Sequence, residues 1–331
     1  MSTPLISVII PNWNGKRFLA ACLDSLQRQT WLHREVVLVD NGSTDGSIEF
    51  VRRTYPEVRL LSFASNRGFS AAVNAGIAAS TGEFFALLNN DTEAEPRWLE
   101  ALHAGISRDA RFGFAASKML RFDAREIIDS AGDAYTRYGL AFGRGRDLAD
   151  QGQYDSADEP FSACGGAALF RREVFEKAGA FDEDFFSYLE DVDLCFRIRW
   201  LGRRGCYVPE AVVYHVGQGT TGQRFNPFQI RHDVKNMLHV IIKNFPWRLL
   251  LPNLPRILLY QLKVAAHYSV LCGSPLAYAR GLAAFAAELP RMLSKRRRIM
   301  TTRQAPLSAI VPLLVASEQE RRRARRLRLR R

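Results

Sequence analysis

Four short, mainly apolar runs, at residues 5–10, 35–39, 58–63 and 84–88, recur along the first part of the chain with a helical segment between each pair. A strand that is apolar at successive positions buries both of its faces, and parallel sheets covered by helices are where such strands occur. The intervening stretches agree. Residues 15–28 carry Phe18, Leu19, Cys22, Leu23 and Leu26 at the spacing of one helical face, residues 45–53 read as a short helix, and residues 69–80 are alanine-rich and helical. The pattern predicts an α/β protein with a mostly parallel sheet covered by helices on both sides.

Sheets of this kind bind ligands beyond the carboxyl ends of their strands. In this chain those ends carry Pro11-Asn12-Trp13-Asn14, Asp40-Asn41-Gly42-Ser43 and Asn89-Asn90-Asp91, and a later strand over 212–215 ends in His215. Residues 190–197 read Glu-Asp-Val-Asp-Leu-Cys-Phe-Arg, with Leu194, Ile198 and Leu201 at helical spacing behind the acids. Carboxylates in a first turn suit the positive end of the helix dipole, so capping alone would explain them. Together with acids and a histidine at strand ends, they are also the parts of a metal-assisted site.

The middle of the chain is less regular. Residues 121–160 are rich in charge and glycine, and read as a mobile region or an irregular excursion. A strand over 163–170, approached through Gly165 and Gly166, leads to a helix over 172–178, the acidic loop 182–184 and then the acid-led helix. Residues 217–222 read as a flexible loop.

From about residue 228 the character changes to apolar stretches broken by prolines and single basic residues, with the longest uncharged windows at 264–279 and 304–317. Both fall short of the roughly 18 apolar residues a spanning helix needs. These segments read as amphipathic helices, either packed on the core or lying in a membrane interface. Residues 291–331 hold 14 Lys and Arg against 2 Asp and Glu, which is the whole formal charge of +12, so residues 1–290 balance to zero. A neutral body argues against a nucleic-acid groove. A basic tail behind amphipathic helices points to an anionic membrane surface. The five cysteines form no Cys-x-x-Cys, which fits a reducing compartment, and no basic region precedes the first apolar run as a signal peptide would require. The expected organisation is a catalytic domain over 1–225, with halves 1–120 and 121–225, a helical extension over 226–290 and a basic, membrane-associated tail over 291–331.

The ordered series Ser-Val-Ile-Ile-Pro-Asn-Trp-Asn, Val-Val-Leu-Val-Asp-Asn-Gly-Ser-Thr-Asp, Asn-Arg-Gly-Phe, Leu-Leu-Asn-Asn-Asp-Thr and Glu-Asp-Val-Asp-Leu resembles the inverting glycosyltransferase family 2, and its rhamnosyltransferase-like members most closely. The resemblance covers about residues 5–222 and implies a GT-A fold with a Rossmann-like sheet. It implies transfer of a sugar from a nucleotide diphosphate donor, dTDP-rhamnose first and a UDP-sugar as the alternative. The acceptor would be a saccharide, lipid-linked, in bacterial cell-surface polysaccharide synthesis on the cytoplasmic face of the membrane.

The resemblance also assigns roles. Asp40 would hydrogen-bond the pyrimidine base, whose N3–H in uracil or thymine needs an acceptor. Pro11, Asn14 and Asn41 would line the same pocket. The metal-binding acidic motif maps onto Asn89-Asn90-Asp91, departing from Asp-x-Asp at Asn89, with Asp91 as its one anionic ligand and Asn89 and Asn90 beside the nucleotide. His215 would be a second ligand for Mg²⁺ or Mn²⁺. The catalytic base would be Asp191, with Glu190 as its neighbour and Asp193 as third choice, because an acceptor hydroxyl must lose its proton as it attacks. Arg67 would meet the diphosphate, or else be a surface arginine before a helix. A nucleotidyltransferase would instead show a glycine-rich phosphate loop after the first strand, where this chain has Pro-Asn-Trp-Asn-Gly-Lys. A non-enzymatic nucleic-acid or scaffold protein would not place carboxylates at the sheet mouth.

Overall fold

The computed structural model describes residues 3–156, 159–217 and 225–328. The opening alternation folds as its pattern requires: β1 (Ile6–Asn12), α1 (Lys16–Gln27), β2 (Arg34–Asp40), α2 (Ser47–Thr54), β3 (Arg59–Ser62), α3 (Phe69–Ala79) and β4 (Phe84–Leu88). Strands β3, β2, β1 and β4 lie side by side and parallel. Leu19, Leu23 and Leu26 of α1 seal one face of the sheet, while Val73 of α3 packs on the other. Each such buried side chain contributes roughly 1.5–3 kcal/mol over leaving it in water.

Beyond β4 come β5 (Thr92–Ala94), α4 (Trp98–Ser107), β6 (Phe112–Arg121), β7 (Ile128–Ala131), β8 (Asp133–Tyr135), β9 (Ala141–Gly143), β10 (Ala167–Arg171), α5 (Arg172–Ala178), α6 (Glu190–Trp200) and β11 (Arg204–His215). The sheet is mixed rather than simply parallel, in the order β3-β2-β1-β4-β10-β6-β11-β5 with β7 on β6. β10 runs antiparallel between β4 and β6. Residues 128–143 form three short strands, so part of the irregular middle is ordered structure. The late strand is longer than its apolar end suggests. It begins at Arg204 and passes Pro209 through a register shift between Val208 and Val212, where a residue without an N–H cannot join the ladder. Of the glycine loop expected at 217–222, residues 218–222 lie outside the described residues.

The C-terminal third is helical: α7 (Pro227–Asn244), α8 (Trp247–Ala266), a π-helical turn over His267–Leu271, α9 (Pro275–Thr302) and α10 (Leu307–Arg328). α9 runs through position 290 without a break. Met292, Ile299, Ile310 and Leu314 are buried, and the last three join Trp200, Phe196 and Phe245 in a core of their own. α6 therefore lies between two layers, which explains why every residue from Val192 to Trp200 is buried.

Candidate active site

Strand polarity assembles the site. β1, β2, β4, β6 and β11 all point the same way, and antiparallel β10 begins where they end. Ala167 pairs with Leu88, so Gly165 and Gly166 sit beside the Asn-Asn-Asp motif, and Gly166 accepts from the Asn89 N–H at 2.9 Å. A Cβ on Gly166 would lie 2.9 Å from Asn89 Nδ2, which makes glycine the fitting residue. His215 is opposite both Arg121 and Thr92, one residue past Asp91.

At the β1–β2 end, Asp40 is fully buried and accepts from Asn12 Nδ2 and the Ser43 N–H, each at 2.8 Å. Asn12 accepts in turn from Asn90 Nδ2 at 2.6 Å, tying the second strand end to the fourth. Asn14, at φ 50°, accepts from the Thr44 N–H. Asn41 bridges to the next loop, donating to Asn66 Oδ1 and Gly68 O and accepting from the Arg67 N–H. Gly42 turns the chain at φ +79°, and a Cβ there would strike Ser65. Pro11 lies within β1 opposite Val39. Arg67 stands at the rim, half exposed, 3.8 Å from Glu183 and stacked on Phe63.

At the β4–β11 end, His215 Nε2 is 3.3 Å from Asp91 Oδ1 and 3.5 Å from Asn89 Nδ2. Its Nδ1 faces Asp129 Oδ2 at 2.8 Å, and Arg146 holds the other oxygen of Asp129 at 3.1 Å. Burial disfavours charge on this imidazole, but its hydrogen bonds to Asp129 and Asp91 outweigh that and raise its pKa to about 9. The donor set fits a hard divalent cation. An octahedral ion with ligands at ~2.1 Å separates adjacent ligand atoms by about 3 Å, close to the Asp91–His215 spacing, and a carboxylate behind the second ring nitrogen is the usual partner of a metal-binding histidine.

The third group stands on α6. Asp191 accepts from the Gly165 N–H at 2.9 Å and the Val192 N–H at 2.8 Å. Ligand atoms of Asp133, Cys164 and Asp191 lie within 4.8 Å of one another. Burial raises the proton affinity of Asp191 despite those two bonds, and burial followed by the Asp191 charge pushes Asp133 up as well. Glu190 is buried, its Oε2 meets no hydrogen-bond partner among the described residues, and burial followed by the charge of Asp191 raises it well above the usual carboxylate range. Asp193 is different: Arg197, Lys243 and Asn244 hold it at 2.9, 2.8 and 2.8 Å. Burial opposes its charge, but Lys243 and Arg197 lower its pKa below the ordinary value. Its lone pairs are committed to the fold, so it is no candidate for the base.

The acid pair is delivered by a contorted loop. Phe186, Tyr188 and Leu189 all have positive φ, 65°, 74° and 66°, a conformation costing on the order of 1–3 kcal/mol at each non-glycine residue. Asn236 of α7 holds it, its amide donating to the carbonyls of Phe185, Ser187 and Tyr188 at 2.8–3.0 Å. Asp129, Asp133, Arg146, Cys164 and Asn236 also border the site, and their sequence context gave none of them a role, because only contacts across the fold bring them there; Asn12 stood at a strand end but had no role assigned.

An α/β sheet whose strand ends gather a buried acid, an Asp–His pair and an acid-led helix is the architecture of a GT-A glycosyltransferase. Residues 7–179 match the model of "Glycosyl transferase family 2", and the chain belongs to that family. It is 31% identical over 243 residues to the N-acetylglucosaminyl-diphospho-decaprenol L-rhamnosyltransferase of Mycobacterium tuberculosis, covering 67% of this chain and 79% of that protein. Among solved structures it is similar to GalNAc-T7 with UDP, GalNAc and Mn²⁺, at a TM-score of 0.58 and 21% identity over 72% of this chain and 48% of that one, so it spans about half of that protein. It is also similar to the mannosyltransferase PcManGT from Pyrobaculum calidifontis in complex with GDP-Man and Mn²⁺, at a TM-score of 0.53 and 19% identity over 98% of this chain and 87% of that one. At those identities the likeness is one of fold.

Proposed function

We propose that this glycosyltransferase is an inverting, metal-assisted enzyme that moves rhamnose from dTDP-rhamnose to a lipid-linked saccharide in bacterial cell-surface polysaccharide synthesis. The mycobacterial relative supports the sugar and the lipid-linked acceptor, since its name gives a rhamnosyl transfer and a diphospho-decaprenol acceptor, and dTDP as the donor nucleotide is the expectation of the sequence resemblance. The observation that carries the mechanism is Asp191, held at the sheet mouth by the Gly165 N–H with its proton affinity raised by burial.

Asp40 accepts from the N3–H of the base, with Pro11, Asn14 and Asn41 around it. Asn89 and Asn90 lie along the diphosphate, and Arg67 reaches it from the rim. Asp91 and His215 would hold Mg²⁺ or Mn²⁺, with Asp129 fixing the imidazole. A divalent cation there supplies positive charge for the departing diphosphate. Asp191 takes the proton of the acceptor hydroxyl as its oxygen bonds the anomeric carbon. The bond from that carbon to the diphosphate breaks in the same displacement, so configuration inverts. A base whose proton affinity is raised towards working pH is the better for that task. Glu190 carries no step of its own and stands as the supporting neighbour of Asp191, its own proton affinity raised by burial and by the Asp191 charge. The enzyme works on the cytoplasmic face of the membrane, where the lipid-carried acceptor is met.

A donor screen tests this reading. Nucleoside diphosphate release is measured with dTDP-rhamnose and with UDP-sugars, against a lipid-linked N-acetylglucosaminyl diphosphate, and the anomeric configuration of the product is read by NMR. Turnover of a UDP-sugar alone removes rhamnose. A retained configuration removes the single displacement. Full activity in excess chelator removes the cation.

A further inference from the structure

α8 is apolar on its buried side and on the exposed side next to it. Leu249, Leu250, Ile257 and Val264 face the protein and are buried. The other side presents Trp247, Leu251, Leu254, Leu258 and Leu262, with Leu251 60% and Leu262 67% exposed. At 3.6 residues per turn these five share one face. The row continues into the turn that follows, where Val270 and Leu271 are 75% and 78% exposed, and to Leu276 at the start of α9. A helix docked in water on one face normally shows polar residues on the other. Single exposed leucines are ordinary, but a contiguous row marks a surface that something else covers.

Charge says what covers it. No Asp or Glu occurs between Asp233 and Glu288, while Lys235, Lys243, Arg248, Arg256, Lys263 and Arg280 do. Arg256 and Lys263 are exposed further round the helix, beyond the exposed Leu259, and Arg248 is exposed at its N-terminal end. Leucines with exposed cations on the same helix and no anion complement acyl chains beneath anionic headgroups. A protein partner would match the leucines but gives no reason to exclude acids over the whole stretch. Among the described residues no single helix is long and apolar enough to cross a membrane, and α9 and α10 pass that test only together, across a 119° bend.

The face is tied to the site. Tyr268, in the turn after α8, donates to Asp233 of α7 at 3.2 Å. Leu189, the residue before Glu190, packs against the cluster of Ile230, Val234 and Tyr268. We propose that the exposed face of α8, with Val270, Leu271 and Leu276, is a membrane-docking surface that lies in the interface of an anionic bilayer and sets the acid pair towards it. The proposal rests on the preceding reading only for the acceptor's place at the bilayer.

The full chain is floated with vesicles of phosphatidylglycerol and phosphatidylcholine, and with phosphatidylcholine alone. Wild type should float with the anionic vesicles. Leu251→Ser with Leu258→Ser and Leu262→Ser should lower the bound fraction at least tenfold while leaving the melting curve and donor affinity unchanged. Arg322→Ala with Arg323→Ala, Arg325→Ala and Arg326→Ala on α10 should lose far less. If the triple variant melts lower than wild type, Leu262→Ser and Val270→Ser are read singly. The proposal is overturned if the serine variants float like wild type or if wild type floats with no vesicle. It is also overturned if wild type is a dimer and the triple variant a monomer, which would make the face a contact between copies. Flotation without rhamnosyl transfer overturns the donor reading alone. Transfer to a lipid-linked acceptor without flotation overturns the docking surface alone.

Discussion

His215 and Asp129 meet at 2.8 Å between Nδ1 and Oδ2, although 86 residues separate them in the chain. The bond sets the plane of the imidazole and thereby aims Nε2 at Asp91. If that pair holds a cation, Asp129 acts through the histidine. Asp129→Asn keeps the shape but removes the charge. The Mn²⁺ concentration for half-maximal transfer should rise about 10–100-fold, with kcat at saturating metal little changed. An unaltered metal requirement would make Asp129 merely part of the packing.

Asp191→Asn removes the proton acceptor without removing volume. We expect kcat to fall roughly 10²–10⁴-fold, with donor affinity and melting temperature kept. If Glu190→Gln is the inactive variant and Asp191→Asn retains activity, the base is the other member of the pair.

Asp40→Ala should weaken donor binding by about 1.5–3 kcal/mol, the size of a lost hydrogen bond to a charged group. Because Asp40 also accepts from Asn12 and Ser43, some loss of stability should accompany it. Calorimetric titration with dTDP separates the two effects, and full dTDP affinity in a folded variant would take Asp40 out of the nucleotide pocket.

Asn236 touches no candidate catalytic atom, yet it holds three carbonyls of the loop before Glu190. Asn236→Ala releases a loop with three left-handed residues. It should lower kcat about tenfold or more while KM for the donor stays near wild type, as a lost positioning contact does. Asn236→Asp supplies no donor hydrogen to these carbonyls and should not restore the rate. A variant that loses only melting temperature would reduce Asn236 to a structural prop.

The ion cluster joining α6 to α7 makes stability depend on acid. Lys243 bonds Asp193 at 2.8 Å and Asp182 at 2.5 Å. Both carboxyls titrate below their ordinary values in the fold, with burial opposing the shift and the neighbouring cations winning. A depressed folded pKa gives stability that is complete above the unfolded value near 4 and drains away as pH falls through the folded one. The contribution of this cluster to the melting temperature should therefore be constant above about pH 5 and fall below about pH 4. Asp193→Asn at pH 7 should cost about 3–5 kcal/mol, the penalty of breaking a buried pair from one side. A melting temperature independent of pH down to pH 3 would contradict the assignment.

The chain's own pattern determined β1 to β4 and α1 to α3, because each is a local regularity: an apolar run, or a three- and four-residue spacing between turn residues. It also placed Asp40, Asp91, Asp191 and His215 at element ends, where a sheet of this kind presents side chains. β6 was not legible in the same way. Its Lys118 breaks the apolar run and is tolerated inside only because Asp150 and Asp155 meet it at 2.8 and 2.7 Å, partners that no window of sequence contains.

Tertiary packing alone decided the rest. Asp191 and Asp193 stand in the same helical turn with the same side chain, and helical pattern alone does not separate them. The fold gives one of them backbone donors and a place at the mouth of the sheet, and gives the other Lys243, Arg197 and Asn244. α8 teaches the same lesson for apolar residues. Its leucines are chemically identical, and only the helices docked on one side determine that Leu250 is buried while Leu251, one position on, faces outward. Periodicity records which residues share a face. Which face meets protein, ligand or another phase depends on contacts between segments far apart in the chain, and those exist only once it has folded.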